Sequence, residues 1–207
     1  MNAALPSYLR DTALRVSRHE MGHYVIARLL GFRTGDVSIQ IDGPSAHRGE
    51  ASLTLPQRLS SLEDVQLYLR KRMAVLCAGA LAETLPPRQS PKENKVDLEE
   101  AKQIFATEGK GAEQDFAKYR ELVHLLCNIQ HGREADGVDV DSVAQERIDS
   151  TTDDVWRYAI QLVNDNADLI NDLAANLANR VKNIKERAVL TAADLDNIKA
   201  VRELGVM

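Results

Sequence analysis

Residues 18–25 read Arg18-His19-Glu20-Met21-Gly22-His23-Tyr24-Val25, and the spacing inside this stretch decides how the rest of the chain is read. Apolar residues recur around it at helical intervals: Leu9, Ala13 and Val16 before it, then Val25, Ile26, Leu29 and Leu30, with Gly31 as a C-terminal stop. The pattern predicts one helix from Tyr8 to Leu30. On that helix His19 and His23, four residues apart, project from one face and can aim two imidazoles at a single ion. Glu20, next to the first histidine, is then placed to reach a water at that ion, the position of a general base. Glycine inside a helix costs about 1 kcal/mol against alanine, so Gly22 implies that another segment passes close by. A catalytic zinc site also needs a third protein ligand and an open fourth position. His47, Glu83, Glu93, Asp97, Glu99 and Glu100 are candidates, and spacing alone does not choose among them.

Outward from this helix the period changes. Val37, Ile39 and Ile41 alternate with Ser38 and Gln40, and Ala51, Leu53 and Leu55 alternate with Ser52 and Thr54. Two short strands are expected, joined through Asp42-Gly43-Pro44 and closed by Pro56. Ser61 with Asp64 three residues on is a capping signature for a helix that runs to the break at Pro86-Pro87. A polar, proline-rich loop follows to Val96, and further helices open at Asp97 and over residues 113–131. After an exposed loop at 131–141, a long helix from Thr151 carries Val155, Leu162, Leu169, Leu173 and Leu177, and Thr191-Ala-Ala-Asp194 caps a last one. The expected fold class is mainly α, of α+β type. A small sheet lies near the N-terminal third and the C-terminal part is helical.

Composition narrows the function classes. The 207 residues are 44% hydrophobic and 28% charged, too apolar for a disordered chain, and the 4% aromatic content with many Ala, Leu and Glu favours helices. A net charge of −5 with Lys and Arg interspersed among acids argues against nucleic acid as a partner. The Arg70-Lys71-Arg72 group reads as a solvated helix face. Cys77 and Cys127 stand apart in apolar surroundings and read as buried reduced thiols, which argues against a thiolate zinc site or a disulfide framework. The N-terminal residues lack the apolar core of a signal peptide and no run spans a bilayer, so a cytoplasmic protein with no membrane partner is expected. His124 and His131 read as core-edge or surface histidines.

The string His19-Glu-Met-Gly-His-Tyr-Val-Ile-Ala-Arg-Leu-Leu-Gly-Phe32, the strand pair ending in Leu53-Thr-Leu-Pro56, Arg72-Met-Ala-Val-Leu-Cys-Ala-Gly-Ala-Leu-Ala-Glu-Thr-Leu85 and Val96-Asp-Leu-Glu-Glu-Ala-Lys-Gln-Ile-Phe105 together resemble the peptidase domain of the FtsH family of zinc proteases. The closing segments, residues 159–177 and 190–198, resemble that family's last helices in order and spacing. The resemblance covers nearly the whole chain as a single zincin-like domain, with a metal-site portion over 1–106 and a helical portion over 107–207. It implies His19, His23 and Asp97 as zinc ligands, Glu20 as the base, Glu83 as an acid that orients a ligand imidazole, and Gly49, Glu50, Ala51, Ser52 and Leu53 as a strand that pairs with extended substrate. The chain departs from the family in several places. It carries no Gly-x-x-x-x-Gly-Lys-[Ser/Thr] phosphate loop. Pro91-Lys-Glu-Asn-Lys-Val96 replaces the usual small Thr-Gly-Ala-like segment before the aspartate, and residues 107–150 match poorly.

The expected function is therefore zinc-dependent endopeptidase cleavage of peptides or unfolded chains, by metal-activated water with Glu20 as base and without ATP-driven unfolding by this chain. A homo-oligomer or a separate ATPase that delivers substrate are the partners expected. The alternative is a non-catalytic, zinc-binding adaptor that retains the peptidase fold.

Overall fold

The computed structural model describes residues 4–44, 46–55, 58–86, 95–131 and 140–205. A short 3-10 turn, Ser7–Leu9, leads into α1, Arg10–Leu29. Every residue from Val16 to Ala27 is buried, including Ser17, Arg18, His19, Glu20 and His23. In a helix buried on all sides an unpaired polar group costs about 1–3 kcal/mol, and Ser17 Oγ is left without a partner while Arg18 finds one. Arg18 does so by donating from Nε to Asn171 Oδ1 at 2.9 Å.

Most of the cover on α1 comes from α2, α6, β1 and β2. On one side lies α2, Leu62–Glu83, which starts at Ser61 with a reciprocal capping box to Asp64, as its sequence predicts. Gly22 lets it approach: a Cβ there would stand 2.5 Å from the Ala78 carbonyl oxygen and 2.6 Å from Ala82 Cβ. On the other side lie β1, Arg33–Ile41, and β2, His47–Thr54, paired antiparallel, with a bulge between Thr34 and Val37. Val37, Ile39 and Ile41 are fully buried, so the period of two marks the core face of β1.

The second half of the chain packs on this frame. α3 spans Leu98–Ala106, α4 Glu113–His131, α5 Val140–Asp165 and α6 Ala167–Arg180. The helix expected from Thr151 thus begins earlier and is two helices. At Asn166 the side-chain amide donates to the Leu162 carbonyl at 2.8 Å and the backbone leaves helical geometry (φ −115°), so the chain turns before Ala167. β3, Arg187–Leu190, adds to β1 and gives the order β2-β1-β3. It is missed in the sequence because four residues are too few to establish alternation. The final helix expected at Thr191 is two short ones, α7, Ala192–Asp196, capped by Thr191 and Asp194, and α8, Lys199–Arg202.

The halves before and after residue 106 share one core: α6 lies on α1, and α4 and α5 lie on α2. Cys77 and Cys127 are buried free thiols. His124 is exposed, and Arg70, Lys71 and Arg72 do not form one solvated face, since only Arg70 is fully exposed. Lys71 donates to the Leu30 carbonyl at 3.1 Å. Among the described residues no helix is long and apolar enough to cross a membrane. Pro56, most of the loop expected after Pro86, including Glu93, most of the loop at 131–141, and the His131 side chain lie outside the described residues.

Candidate metal centre

α1 presents His19 and His23 on its α2 side, with ring centroids 4.6 Å apart and planes nearly perpendicular. Each ring is held from behind. His23 Nδ1 donates to the Val75 carbonyl at 2.7 Å, which fixes its proton on Nδ1. His19 Nδ1 donates to Glu83 Oε1 at 2.7 Å, and Arg15 completes the set by pairing with the other Glu83 oxygen. With both Nδ1 positions used as donors, both Nε2 lone pairs face the same point. Their separation is 3.0 Å.

The third group at that point is Asp115. Its Oδ2 lies 3.0 Å from His23 Nε2 and 3.2 Å from His19 Nε2. Two nitrogen lone pairs and a carboxylate oxygen this close repel unless a positive charge sits among them. A tetrahedral zinc ion with arms of about 2.0–2.1 Å has edges of about 3.3 Å, so the three atoms fit three of its corners after small outward shifts. Space is kept by Gly79 of α2, where a Cβ would stand 2.5 Å from His23 Nε2 and 2.7 Å from His19 Nε2. His19, His23 and Asp115 therefore form a donor set that could hold a divalent metal, with Glu83 and Val75 orienting the imidazoles.

Charge follows the same geometry. Burial alone would lower the His19 pKa, but hydrogen bonds to Asp115 and Glu83 and the nearby Glu20 raise it to about 10. Burial also works against the Asp115 charge, yet His23 and His19 hold this carboxyl far below the usual carboxylate range. A proton can thus occupy the point of convergence, and a metal ion would displace it. Burial pushes the Glu20 carboxyl above its ordinary value, against the opposing pull of His19 and His23.

Asp97, the ligand the resemblance implies, is not at this point. It is exposed and caps α3, accepting from the Glu100 backbone N–H at 3.0 Å, while its own N–H donates to Thr84 Oγ1 at 2.9 Å. Glu99 and Glu100 are exposed on α3. Asp115 takes the place instead, from the first turn of α4. Its sequence signal is Gly111-Ala112, the small segment that the resemblance expects ahead of the aspartate. The geometry gives that signal a cause. Gly109 and Gly111 hold φ of 81° and 99°, conformations that favour glycine, and Glu113 Oε1 accepts from both of their N–H groups. This folds the loop onto α4 and delivers Asp115. Gly79 was also missed, because a glycine in an apolar helix reads as packing until the partner helix is known.

The donor set opens on a cavity of about 560 Å³, walled by α1, β2 and the start of α4. Glu20 lines it and rests against Gly49 of β2, where any Cβ would overlap its carboxylate. β2 pairs with β1 on one side only, so its other edge has no strand partner among the described residues. Of the residues expected to pair with substrate, Gly49, Glu50, Ala51 and Leu53 line the cavity. His47 begins β2 and lines it too.

No protein-family model matches the chain, and no curated protein matches it.

Proposed function

We propose that this protein is a zinc-dependent endopeptidase of the FtsH-peptidase kind, acting in the cytoplasm on peptides or unfolded segments. One observation carries the reading: His19 Nε2, His23 Nε2 and Asp115 Oδ2 converge within 3.2 Å of one another beside the buried Glu20. Two imidazoles and one carboxylate are a catalytic type of zinc set, with a fourth position left for chemistry.

Zinc in this set would supply Lewis acidity, lowering the pKa of water to about 7 and polarising a carbonyl. The chain's own residues do the rest. An extended peptide adds to the free edge of β2 through main-chain hydrogen bonds, which read no sequence and suit an unfolded chain. Pairing at Gly49 sets a peptide carbonyl next to Glu20. Glu20 takes a proton from the attacking water and returns it to the leaving amine. Burial raises its pKa above the ordinary carboxylate value, the direction that favours taking up a proton during the reaction. Glu83 and Val75 keep the imidazoles in one tautomer, so Nε2 stays a lone-pair donor.

Zinc content by mass spectrometry and cleavage of casein or a quenched fluorescent peptide test this reading. Wild type should bind one zinc and cut, and Glu20→Gln should bind one zinc and cut at least about 10²-fold more slowly. Zinc with no turnover on any unfolded substrate would favour the adaptor alternative.

A further inference from the structure

His47 is the one ring in the cavity wall that the mechanism above does not use. It opens β2 directly after a hairpin loop pinned by Asp42 and Gly43, whose N–H groups both donate to the Ala46 carbonyl, so its backbone is fixed. Side chains alternate along a strand, which puts His47 on the face of Gly49, Ala51 and Leu53. Ala51 and Leu53 pack against the core, and Gly49 lies against the Glu20 carboxylate. Glu50 borders the cavity, but its carboxylate is directed to the other face of the sheet, where it pairs with Arg187 of β3 at 3.1 Å. His47 therefore stands one strand repeat from the general base, on the same side of the sheet.

The ring's two nitrogens are unequal. Nδ1 is shielded from solvent and has no hydrogen-bond partner. Closed off in this way, Nδ1 can exchange no hydrogen bond with a bound peptide, so the ring's available polar atom is Nε2. Nε2 lies beside Gly111, where a Cβ would stand 3.0 Å away, and the ring lines the cavity. Burial, and then the charge of Arg15, lower the His47 pKa, in the direction of the neutral ring. Its ring is no ligand to the His19, His23 and Asp115 set, which forms without it.

We infer that His47 is a further catalytic residue, donating a hydrogen bond from Nε2 to the carbonyl oxygen of a bound peptide as that oxygen gains negative charge. The inference rests on the peptidase reading and adds a group for which that reading has no role. A donor aimed at developing charge stabilises the transition state more than the bound substrate. Its loss falls on kcat and leaves KM nearly unchanged.

The test uses zinc-loaded wild type, His47→Ala and His47→Gln, a quenched fluorescent peptide, and a phosphinic peptide of the same sequence whose tetrahedral oxyanion mimics the transition state. His47→Ala should keep one zinc and the wild-type melting temperature, lose about 10²-fold in kcat with KM within about twofold, and bind the phosphinic peptide weaker by a similar factor in calorimetry. His47→Gln, whose amide still donates, should recover about tenfold of both losses. The His47 role alone is overturned if wild type cuts and binds the phosphinic peptide and His47→Ala matches it, or if His47→Ala acts only through KM or zinc content. If wild type neither cuts nor binds the phosphinic peptide, the peptidase reading fails and the His47 role falls with it.

Discussion

Gly79 of α2 stands against His23 of α1, and a Cβ on Gly79 would stand 2.5 Å from His23 Nε2. The neighbouring atom is a ring nitrogen held at its other end by the Val75 carbonyl, so the ring has no room to yield. Gly79→Ala should therefore displace both imidazoles and abolish stoichiometric metal binding. It should also destabilise the fold by about 1–3 kcal/mol through overpacking. Metal content and urea unfolding, measured on the same preparation, check the two effects together.

The two aspartates that open α3 and α4 should behave oppositely. Asp115→Asn removes the carboxylate that meets both Nε2 atoms, and zinc should be lost on gel filtration. Asp97→Ala removes only an N-cap and should keep one zinc while costing about 1 kcal/mol of stability. Zinc loss from Asp97→Ala with retention in Asp115→Asn would reverse the assignment.

Glu83→Gln keeps an acceptor for His19 Nδ1 but removes the charge that Arg15 also neutralises. The ligand imidazole becomes less basic, and zinc affinity in competition with a chelator should drop about 10-fold to 100-fold. An unchanged affinity would show that Glu83 serves packing only.

Two partly exposed capping carboxylates set a pH response remote from the candidate metal centre. The Ser60 and Ser61 backbone N–H groups hold Asp64 below the ordinary carboxylate value, and Thr191 does the same for Asp194, helped by Arg180. A depressed folded pKa contributes stability that is present above the unfolded value of about 3.9 and is lost as pH falls through the folded one. Asp64→Asn and Asp194→Asn should lower the melting temperature at pH 7, and the gap to wild type should close below about pH 4. A gap that persists unchanged at low pH would remove charge as the cause.

The site was legible where it is local and lost where it depends on register between distant segments. His19, Glu20, Gly22 and His23 share one helix, so a spacing of four and a small residue suffice to place them. The role of Glu83 came from the resemblance and not from spacing, and in the structure Glu83 does hold His19. The third donor was assigned one helix too early, because Asp97-Leu98 and Asp115-Phe116 both open helices with an acid followed by an apolar residue. Only the positive-φ glycines before Asp115 distinguish them, and their meaning depends on a loop fold that no periodicity reports. β3 was hidden for the opposite reason, since its four residues matter only through pairing with β1.

That pairing, with the Arg18–Asn171 bond, bears on how the molecule assembles. α1 is translated early, but its buried guanidinium finds its partner in α6, and β1 gains its second neighbour only when residues 187–190 arrive. Leu5 likewise donates to the Lys182 carbonyl at 2.8 Å. Contacts of such sequence separation form after long-loop closure, which slows folding. A nascent chain emerging from the ribosome therefore carries the histidine pair long before α6 and β3, which complete the packing around α1 and β1, have been made.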